Sequence, residues 1–360
     1  MTLKLLALVA LSLIVASCAM KLGAAASSAN SHKVKVVSVT GAAGQIAYST
    51  LFRICQGDLL GEDVAIDLRL LEVDNPLVQK ALDGVMCELR DCKFPLLSKM
   101  SKHTDPVECF ADADVALLIG ARPRSKGMER RDLLLANAEI FKAQGKALNI
   151  SAKKTCKTIV VGNPANTNCL IAMTHCPSIS RRNFSCLMRL DFNRAVSMLA
   201  EKVGEPVDSL CDVYVWGNHS SSVYADYRFC KTGDGASVKD AIGDEDWNRG
   251  VFLPTIGARG ASIIELRGLS SAGSAAHASI EHVRDWLAGT GGKVVSMGVC
   301  SDGNTYGVPE GLVFGFPVSC SEGDYRLVPG IDLDEFASQR IRSCVDELVS
   351  EREAVAHLLQ

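Results

Sequence analysis

The chain has 360 residues, of which 48% are hydrophobic and 22% are charged. This composition is that of a globular protein long enough for two domains. Its formal net charge of -3 gives no reason to expect a nucleic acid as a partner. The 14 cysteines are scattered without paired CxxC motifs or zinc-ligand spacing, so we expect buried free thiols in a reducing compartment and no metal site.

Residues 1–32 differ from the rest of the chain. Lys4 precedes an apolar run over residues 5–16, and small and polar residues then dominate up to His32. The pattern indicates a targeting-type leader, with a disordered tail as the alternative. The apolar run is short for a membrane span, so we expect membrane association only if the leader is retained. Organellar and secretory routes both remain open.

The first strand pattern runs directly into a glycine turn. A β-branched run at residues 34–40 is followed by Gly-Ala-Ala-Gly-Gln-Ile-Ala at 41–47 and by an apolar helix. Gly41 permits a tight turn, Gly44 lets the backbone approach a pyrophosphate, and Ala47 lets the helix pack closely on the strand. The turn therefore predicts nucleotide binding. A strand-to-helix turn that binds nothing is the alternative, because Ala43 stands where such motifs carry a middle glycine.

The second strand pattern, residues 66–72, ends in Glu72. A dinucleotide-binding fold reads the adenosine ribose with an acid at this place, and a carboxylate there repels the 2′-phosphate of NADP. We therefore predict that Glu72 binds the ribose of NAD. Asp74 is interpreted as the cap of the helix that follows.

A third buried strand pattern, residues 113–120, leads into a basic loop at 121–131. The cations of this loop are Arg122, Arg124, Lys126, Arg130 and Arg131. Ligands in α/β folds bind after the carboxyl ends of strands, which favours an anion site here over ordinary solvated charge.

A fourth strand pattern, residues 157–162, ends in Asn163 and Pro164. Proline keeps the preceding residue out of a helix, so the Asn163 amide can project towards a ligand. A plain Asn-Pro turn is the alternative.

The composition changes after residue 180, and we place a second domain from Asn183 onwards. A helix at 189–203 brings Asp191 and Arg194 to neighbouring faces, one turn apart. His219 lies in a Gly-Asn-His-Ser loop after a short strand. A lone histidine in such a loop is more often a surface residue, unless a buried aspartate orients it.

The remaining patterns are helices at 256–267 and up to 287, strands at 294–299 and 312–318, and a final helix at 334–359. The two strands are separated by turn residues, so we expect them to be antiparallel. The sequence thus predicts an α/β protein: a Rossmann-type parallel-sheet domain at 33–182, followed by a mixed α/β catalytic domain at 183–360.

Several stretches in this order resemble the malate dehydrogenases of the cytosolic and chloroplast branch of the lactate/malate dehydrogenase family. They are TGAAGQIAYS, GMERRDLL, VVGNPANTNCL, NFSCL, WGNHSS and VSMGV. The resemblance covers roughly residues 33–360 and implies a Rossmann-type domain, NAD as cofactor and reversible oxidation of malate to oxaloacetate. It also implies a homodimer and, by family, a cytoplasmic location.

The resemblance assigns roles to individual residues. His219 would exchange the hydroxyl proton, with Asp191 holding its imidazole. Substrate carboxylates and the reacting oxygen would contact Arg124, Arg130, Asn163 and Arg194. The positions that fall on the NAD contacts of the family are Gly41, Ala42, Ala43, Gly44, Gln45, Ile46, Ala47, Glu72, Asn137, Gln144, Val161, Gly162 and Asn163.

The chain departs from the pattern of this branch at Phe192, at Gly273, and at Ser125 and Lys126. None of these changes removes a catalytic group. Two alternatives stay open: a dehydrogenase for another 2-hydroxy acid, lactate or aromatic, and a catalytically silent NAD-binding protein. Arg124 speaks against the first, and the presence of Asp191 and His219 against the second.

Overall fold

The computed structural model describes residues 33–122 and 130–360. Residues 34–360 form one compact unit. The predicted leader at 1–32 and residues 123–129 of the basic loop lie outside the described residues, so the leader stays a prediction.

Most strands of the described residues join one sheet. The strands are β1 (Lys33–Thr40), β2 (Val64–Leu71), β3 (Leu97–His103), β4 (Val115–Leu118), β5 (Lys157–Val160), β6 (Phe184–Cys186), β7 (Tyr214–Trp216), β8 (Tyr224–Asp226), β9 (Val295–Cys300), β10 (Val313–Ser321) and β11 (Asp324–Leu327). Nine of them form a sheet in the order β11-β10-β9-β6-β5-β4-β1-β2-β3, and β7 pairs with β8. β1, β4, β5 and β6 run parallel, whereas β6, β9, β10 and β11 pair antiparallel.

The helices lie between and beside these strands. They are α1 (Gln45–Gln56), α2 (Pro76–Asp91), α3 (Pro106–Phe110), α4 (Arg130–Ser151), α5 (Ala165–Thr174), α6 (Arg189–Val203), α7 (Val238–Ile242), α8 (Glu245–Trp247), α9 (Leu253–Arg267), α10 (Gly273–Ala288) and α11 (Glu335–Ala354). A π-helical turn at Asn248–Phe252 joins α8 to α9. Helices α1 and α2 contribute to one core cluster and α4 and α5 to the other.

Side chains of the central strands alternate between these two clusters. In β4, Val115 and Leu117 belong to one cluster, and Ala116 and Leu118 to the other. Successive side chains of a strand point to opposite faces, so β4 is apolar on both and reads as a continuous hydrophobic run. The predicted fold, a Rossmann-type parallel sheet followed by a mixed α/β part, is confirmed.

Local sequence explains where several elements begin. The N-cap of α2 is Asn75, whose side chain accepts from the Leu77 N–H at 3.0 Å, with Pro76 as the first helical residue. Our interpretation of Asp74 as that cap is therefore wrong. The predicted antiparallel pairing of the strands at 294–299 and 312–318 is confirmed by β9 and β10. No described helix is both long and apolar enough to cross a membrane.

Candidate active site

The segments singled out in the sequence meet at one edge of the sheet. The glycine turn follows β1, the loop of Arg122 follows β4, Asn163 follows β5, and α6 begins shortly after β6. These four strands are parallel neighbours, so their carboxyl ends lie side by side. In open α/β sheets this edge is where ligands bind.

The glycine turn is tight because two backbones touch there. Gly41 has φ +64°, and a methyl group on it would lie 2.4 Å from the Cα of Gly120, just beyond β4. Any side chain at Gly41 would therefore push the ends of β1 and β4 apart. Gly44 has an ordinary φ of -78° and serves as the N-cap of α1.

The amino terminus of α1 is suited to an anion. Gly44 offers no side-chain cap and the first turn contains no acid, so the helix N–H groups and the positive end of the helix dipole are available. Glu72, which directly follows β2, accepts a hydrogen bond from the Ala43 N–H at 3.1 Å. The turn and the acid are therefore adjacent, as a pyrophosphate and a ribose of one dinucleotide require.

Of the other predicted cofactor residues, Asn137 has a clear structural task. Its fully buried side chain accepts from the Arg122 N–H at 2.7 Å and donates to the Asn163 carbonyl at 3.1 Å. It thereby connects the loops that follow β4 and β5. Asn163 itself is exposed and joined to Pro164 by a cis peptide bond.

Gln144, Val161 and Gly162 lie around these loops. All three are buried, and the Gln144 Oε1 has no hydrogen-bond partner within the described residues. A methyl group on Gly162 would lie 2.8 Å from the Ala121 side chain, so glycine keeps the two loops close. Ala42 and Ala47 are buried under the turn, whereas Gln45 is exposed and Ile46 partly exposed.

The centre of the second half is a buried carboxylate with two partners. Asp191 on α6 is 2% exposed; one oxygen contacts His219 Nδ1 and the other accepts from Arg194 at 3.0 Å. The structure thus brings Asp191, Arg194 and His219 together, three residues that the sequence places up to 28 positions apart. His219 has the buried aspartate that a surface histidine would lack.

Arg194 is largely buried and lies near two other charged groups, Asp191 and Arg259. Burial lowers the pKa of its guanidinium, Asp191 opposes that effect, and the nearby charge of Arg259 adds to it. Arg259 lies on α9, where its buried Nε has no hydrogen-bond partner among the described residues. Two cations near one carboxylate leave net positive charge for an anionic ligand.

The loop that carries His219 is supported by residues that the sequence analysis did not select. The His219 N–H donates to Asn166 Oδ1 at 3.0 Å, and the Asn166 amide donates to the carbonyls of Gly217 and Val313. Asn166 stands in the motif that also contains Asn163, so the sequence carried a signal for it. Arg259 had none, because a single arginine in an amphipathic helix is ordinary.

Two predicted substrate residues cannot be placed. Arg124 lies outside the described residues, and the side chain of Arg130, the first residue of α4, does so as well. Of the departures from the family pattern, Phe192 packs against Arg189, and Gly273 opens α10 with free space where a side chain would project. No group of described His, Cys, Asp and Glu side chains is arranged to hold a metal ion.

The cysteines are free throughout the described residues. Most are buried, and burial raises the pKa of thiols such as Cys55 and Cys156 to about 12, which keeps them protonated. Cys87 and Cys92 are exposed.

Two family models match consecutive parts of the chain. Residues 34–185 match the NAD binding domain of lactate/malate dehydrogenase, and residues 188–359 match its alpha/beta C-terminal domain. The chain belongs to the lactate/malate dehydrogenase family. It is therefore an oxidoreductase of this family with NAD as its cofactor.

Solved structures agree with this assignment. The malate dehydrogenase of Naegleria fowleri is 42% identical, with a TM-score of 0.86 over 90% of this chain and 98% of the other. The lactate dehydrogenase of Trichomonas vaginalis in complex with NADH and oxamate is 38% identical, with a TM-score of 0.86 over 90% of this chain and 99% of the other. Malate dehydrogenase from Plasmodium falciparum is 18% identical and shows the shared fold alone, with a TM-score of 0.76 over 91% of this chain and 100% of the other.

Proposed function

We propose that the protein is an NAD-dependent malate dehydrogenase, which interconverts malate and oxaloacetate. The observation that carries the 2-hydroxy-acid chemistry of this proposal is the buried Asp191 between His219 and Arg194. It combines a group that can exchange a proton with a group that can bind a carboxylate, and a 2-hydroxy acid needs both. The positive charge of the site favours malate.

The geometry supports a specific task for each of these three side chains. His219 Nδ1 donates to Asp191, so the other ring nitrogen, Nε2, exchanges the proton with substrate. Asp191 stabilises the charged imidazolium that forms when malate loses its hydroxyl proton. Arg194, fixed by Asp191 at 3.0 Å, presents its remaining N–H groups to the carboxylate beside the reacting carbon.

Bound NAD would supply the acceptor for the hydride of the hydroxyl-bearing carbon. The helix N-terminus at Gly44 would hold its pyrophosphate, and Glu72 its adenosine ribose. The exposed Asn163, whose backbone is fastened by Asn137, is free to contact substrate and cofactor.

Positive charge favours a dicarboxylate over a monocarboxylate. Besides Arg194, the described residues supply Arg259, and the sequence supplies Arg124 and Arg130. We assign Arg124 to the distal carboxylate and Arg130 to the carbonyl oxygen. Enclosing an extra arginine with a monocarboxylate would leave a buried charge unpaired, which costs several kcal/mol.

The second candidate is a lactate dehydrogenase. It is favoured by the 38% identity to the Trichomonas vaginalis enzyme, which is nearly as high as the 42% identity to the Naegleria fowleri malate dehydrogenase. The two candidates share the fold, the cofactor and the His219 chemistry, so they differ only in the substrate's second charge.

The test is a rate assay of the chain lacking residues 1–32, with NADH or NADPH against oxaloacetate, pyruvate and phenylpyruvate. Fast oxidation of NADH by oxaloacetate alone is expected. In Arg124→Gln, we expect kcat/KM to fall about 100-fold for oxaloacetate and far less for pyruvate, since only oxaloacetate has the distal carboxylate. Preference for pyruvate would select the lactate enzyme.

His219→Ala is the matched control for the chemistry. It should abolish turnover and leave NADH binding, followed by fluorescence, nearly unchanged. A wild-type chain that binds NADH and reduces no keto acid would instead be the silent NAD-binding protein.

We also propose a homodimer, as the family resemblance implies, and removal of the leader before the enzyme acts. Sedimentation equilibrium tests the first, and the amino-terminal sequence of the protein purified from its source tests the second. A monomer at micromolar concentration would exclude the dimer as a stable state.

A further inference from the structure

The loop at residues 217–222 is here called the histidine loop. From its first residue to its last, it contacts the carboxyl-terminal helix α11. Three positions of α11 make these contacts: Cys344, Glu347 and Glu351. Their spacing of three and four residues places them on one face of the helix. Neither glutamate was selected in the sequence.

Glu351 contacts the loop immediately before His219. The residue is 7% exposed, and its carboxylate accepts from Asn218 Nδ2 at 3.2 Å and from the hydroxyl of Thr167 on α5. Asn218 is almost fully buried, so its side chain cannot turn to water. A buried carboxylate is retained at such a place only when its oxygens are hydrogen-bonded.

Glu347 contacts the loop immediately after His219. One of its carboxylate oxygens accepts from Ser220 Oγ at 2.5 Å and from Ser222 Oγ at 2.6 Å. Hydrogen bonds to a carboxylate are shorter and stronger than those between neutral groups. His219 is thus flanked on both sides by residues bonded to α11.

Cys344 fixes the beginning and the end of the same loop. Its Sγ lies 3.0 Å from the Ser222 carbonyl, and a methyl group on Gly217 would lie 2.3 Å from that sulfur. Gly217 has φ +100° and exchanges hydrogen bonds with Gly315 of β10 at 3.0 and 2.7 Å. The histidine loop therefore has little freedom to move relative to α11.

We infer that Glu347 and Glu351 are positioning residues, which hold the histidine loop so that the His219 imidazole stays aligned with Asp191 and with the substrate. This inference rests on the proposed function, because it concerns the proton transfer by His219. Both glutamates are bonded to the histidine loop, through Ser220 and Ser222 or through Asn218, and we assign neither of them to the substrate. They act on the rate of the chemical step and not on the binding of either ligand.

The expected kinetic result follows from the geometry of proton transfer, in which a displacement of about 1 Å can cost roughly 100-fold in rate. Glu347→Ala should lower the single-turnover rate of NADH oxidation at least about tenfold, with KM for the keto acid and Kd for NADH within about twofold of wild type. The deuterium isotope effect with NADH labelled at the transferred position should rise, because hydride and proton transfer become slower relative to the other steps.

Two further variants separate positioning from general stability. Glu351→Ala should have the larger effect, and Glu351→Gln should recover most of the rate, because an amide can still bond to both Asn218 and Thr167. Asp346→Ala, on the exposed side of the same helix, is the control and should behave as wild type. If Glu351→Ala fails to fold, Glu347→Ala still tests the inference, because Glu347 is only half-buried and its loss disturbs the fold less.

Hydrogen exchange of the peptide spanning 217–222 gives a readout that needs no turnover, and it should be faster in Glu347→Ala than in Asp346→Ala. Faster exchange with an unchanged single-turnover rate and isotope effect would overturn the inference, leaving a purely structural contact. Unchanged exchange would overturn it as well. If the wild type reduces no keto acid, the proposed function fails first, and the exchange data still show whether the glutamates hold the loop.

Discussion

Asp191 binds His219 through one oxygen and Arg194 through the other, and its burial raises the cost of losing either. Removing one partner from a buried ion pair leaves an uncompensated charge, which typically costs 3–5 kcal/mol. The aspartate thus couples His219, for which we propose proton exchange, to Arg194, for which we propose carboxylate binding. We expect a change at Arg194 to disturb the orientation of His219 as well as substrate binding.

We propose that the choice between NAD and NADP depends on Glu72. We predict that Glu72→Ser raises the ratio of kcat/KM for NADPH to that for NADH about tenfold, because a charge that repels a 2′-phosphate is removed. Asp74→Ser, an exposed acid two residues later, is the control. An unchanged ratio in Glu72→Ser would mean that its carboxylate serves to accept from the N–H groups of Ala43 and Val73 and does not read the ribose.

Arg259 lies near Arg194, and the sequence analysis did not select it as a substrate-binding residue. We predict that Arg259→Gln raises KM for oxaloacetate about tenfold and changes KM for pyruvate much less, since one charge facing a dianion is lost. Steady-state kinetics with both keto acids measure this, with Arg267→Gln at the exposed end of α9 as control. Equal effects on the two substrates would contradict a role in reading the second carboxylate.

At the scale of elements, sequence patterns located the apolar strands and long helices well. The strand expected at 113–120 contains β4, and the helix expected at 189–203 is α6 as predicted. β3 was not predicted, because this edge strand is only partly buried and its lysines interrupt the alternation of apolar and polar residues that indicates a strand. β6 was missed because three residues are too few for a periodic signal.

The contacts of α11 with the histidine loop could not be predicted either. They join residues more than 120 positions apart, and glutamates in an amphipathic helix normally indicate a solvated face. Asp191 and Arg194 were easier, because helical spacing alone places them together.

Helix α10 carries a histidine whose environment sets a pH dependence. His282 is fully buried against Ser185 of β6, and burial, with a smaller effect of Arg189, lowers its pKa from 6.5 to about 3. Between pH 6.5 and about pH 3, His282 therefore binds a proton in the unfolded chain and not in the folded chain. The free energy of unfolding consequently decreases as the pH falls through this range.

We predict that this histidine accounts for about 2 kcal/mol of the stability lost between pH 7.5 and pH 5. His282→Gln should be less stable at neutral pH, yet its free energy of unfolding should fall less steeply over this range. Urea titrations at a series of pH values measure the slope. His277→Gln, an exposed histidine on the same helix, should keep the wild-type slope.

At the scale of the whole molecule, one sheet crosses the boundary that the sequence analysis placed at residue 183. β6 pairs with β5 on one side and with β9 on the other. The division into two domains was inferred from a change in composition, and it stays a prediction. The continuation of one sheet across this boundary could not be foreseen, since pairing between distant strands leaves no mark in local periodicity.

The backbone pairing between β6 and β9 is registered at one residue pair, Cys186 and Gly298, and the Ser185 hydroxyl also donates to the Gly298 carbonyl at 2.8 Å. A methyl group on Gly298 would lie 2.1 Å from the sulfur of Cys186, so the pair tolerates no enlargement on the glycine side. A hybrid enzyme that joins residues 1–187 of this chain to the later half of a relative would keep a continuous sheet only if that relative offers glycine there. Recombination between family members is thus restricted at this junction, and the two halves are expected to be inherited as a matched pair.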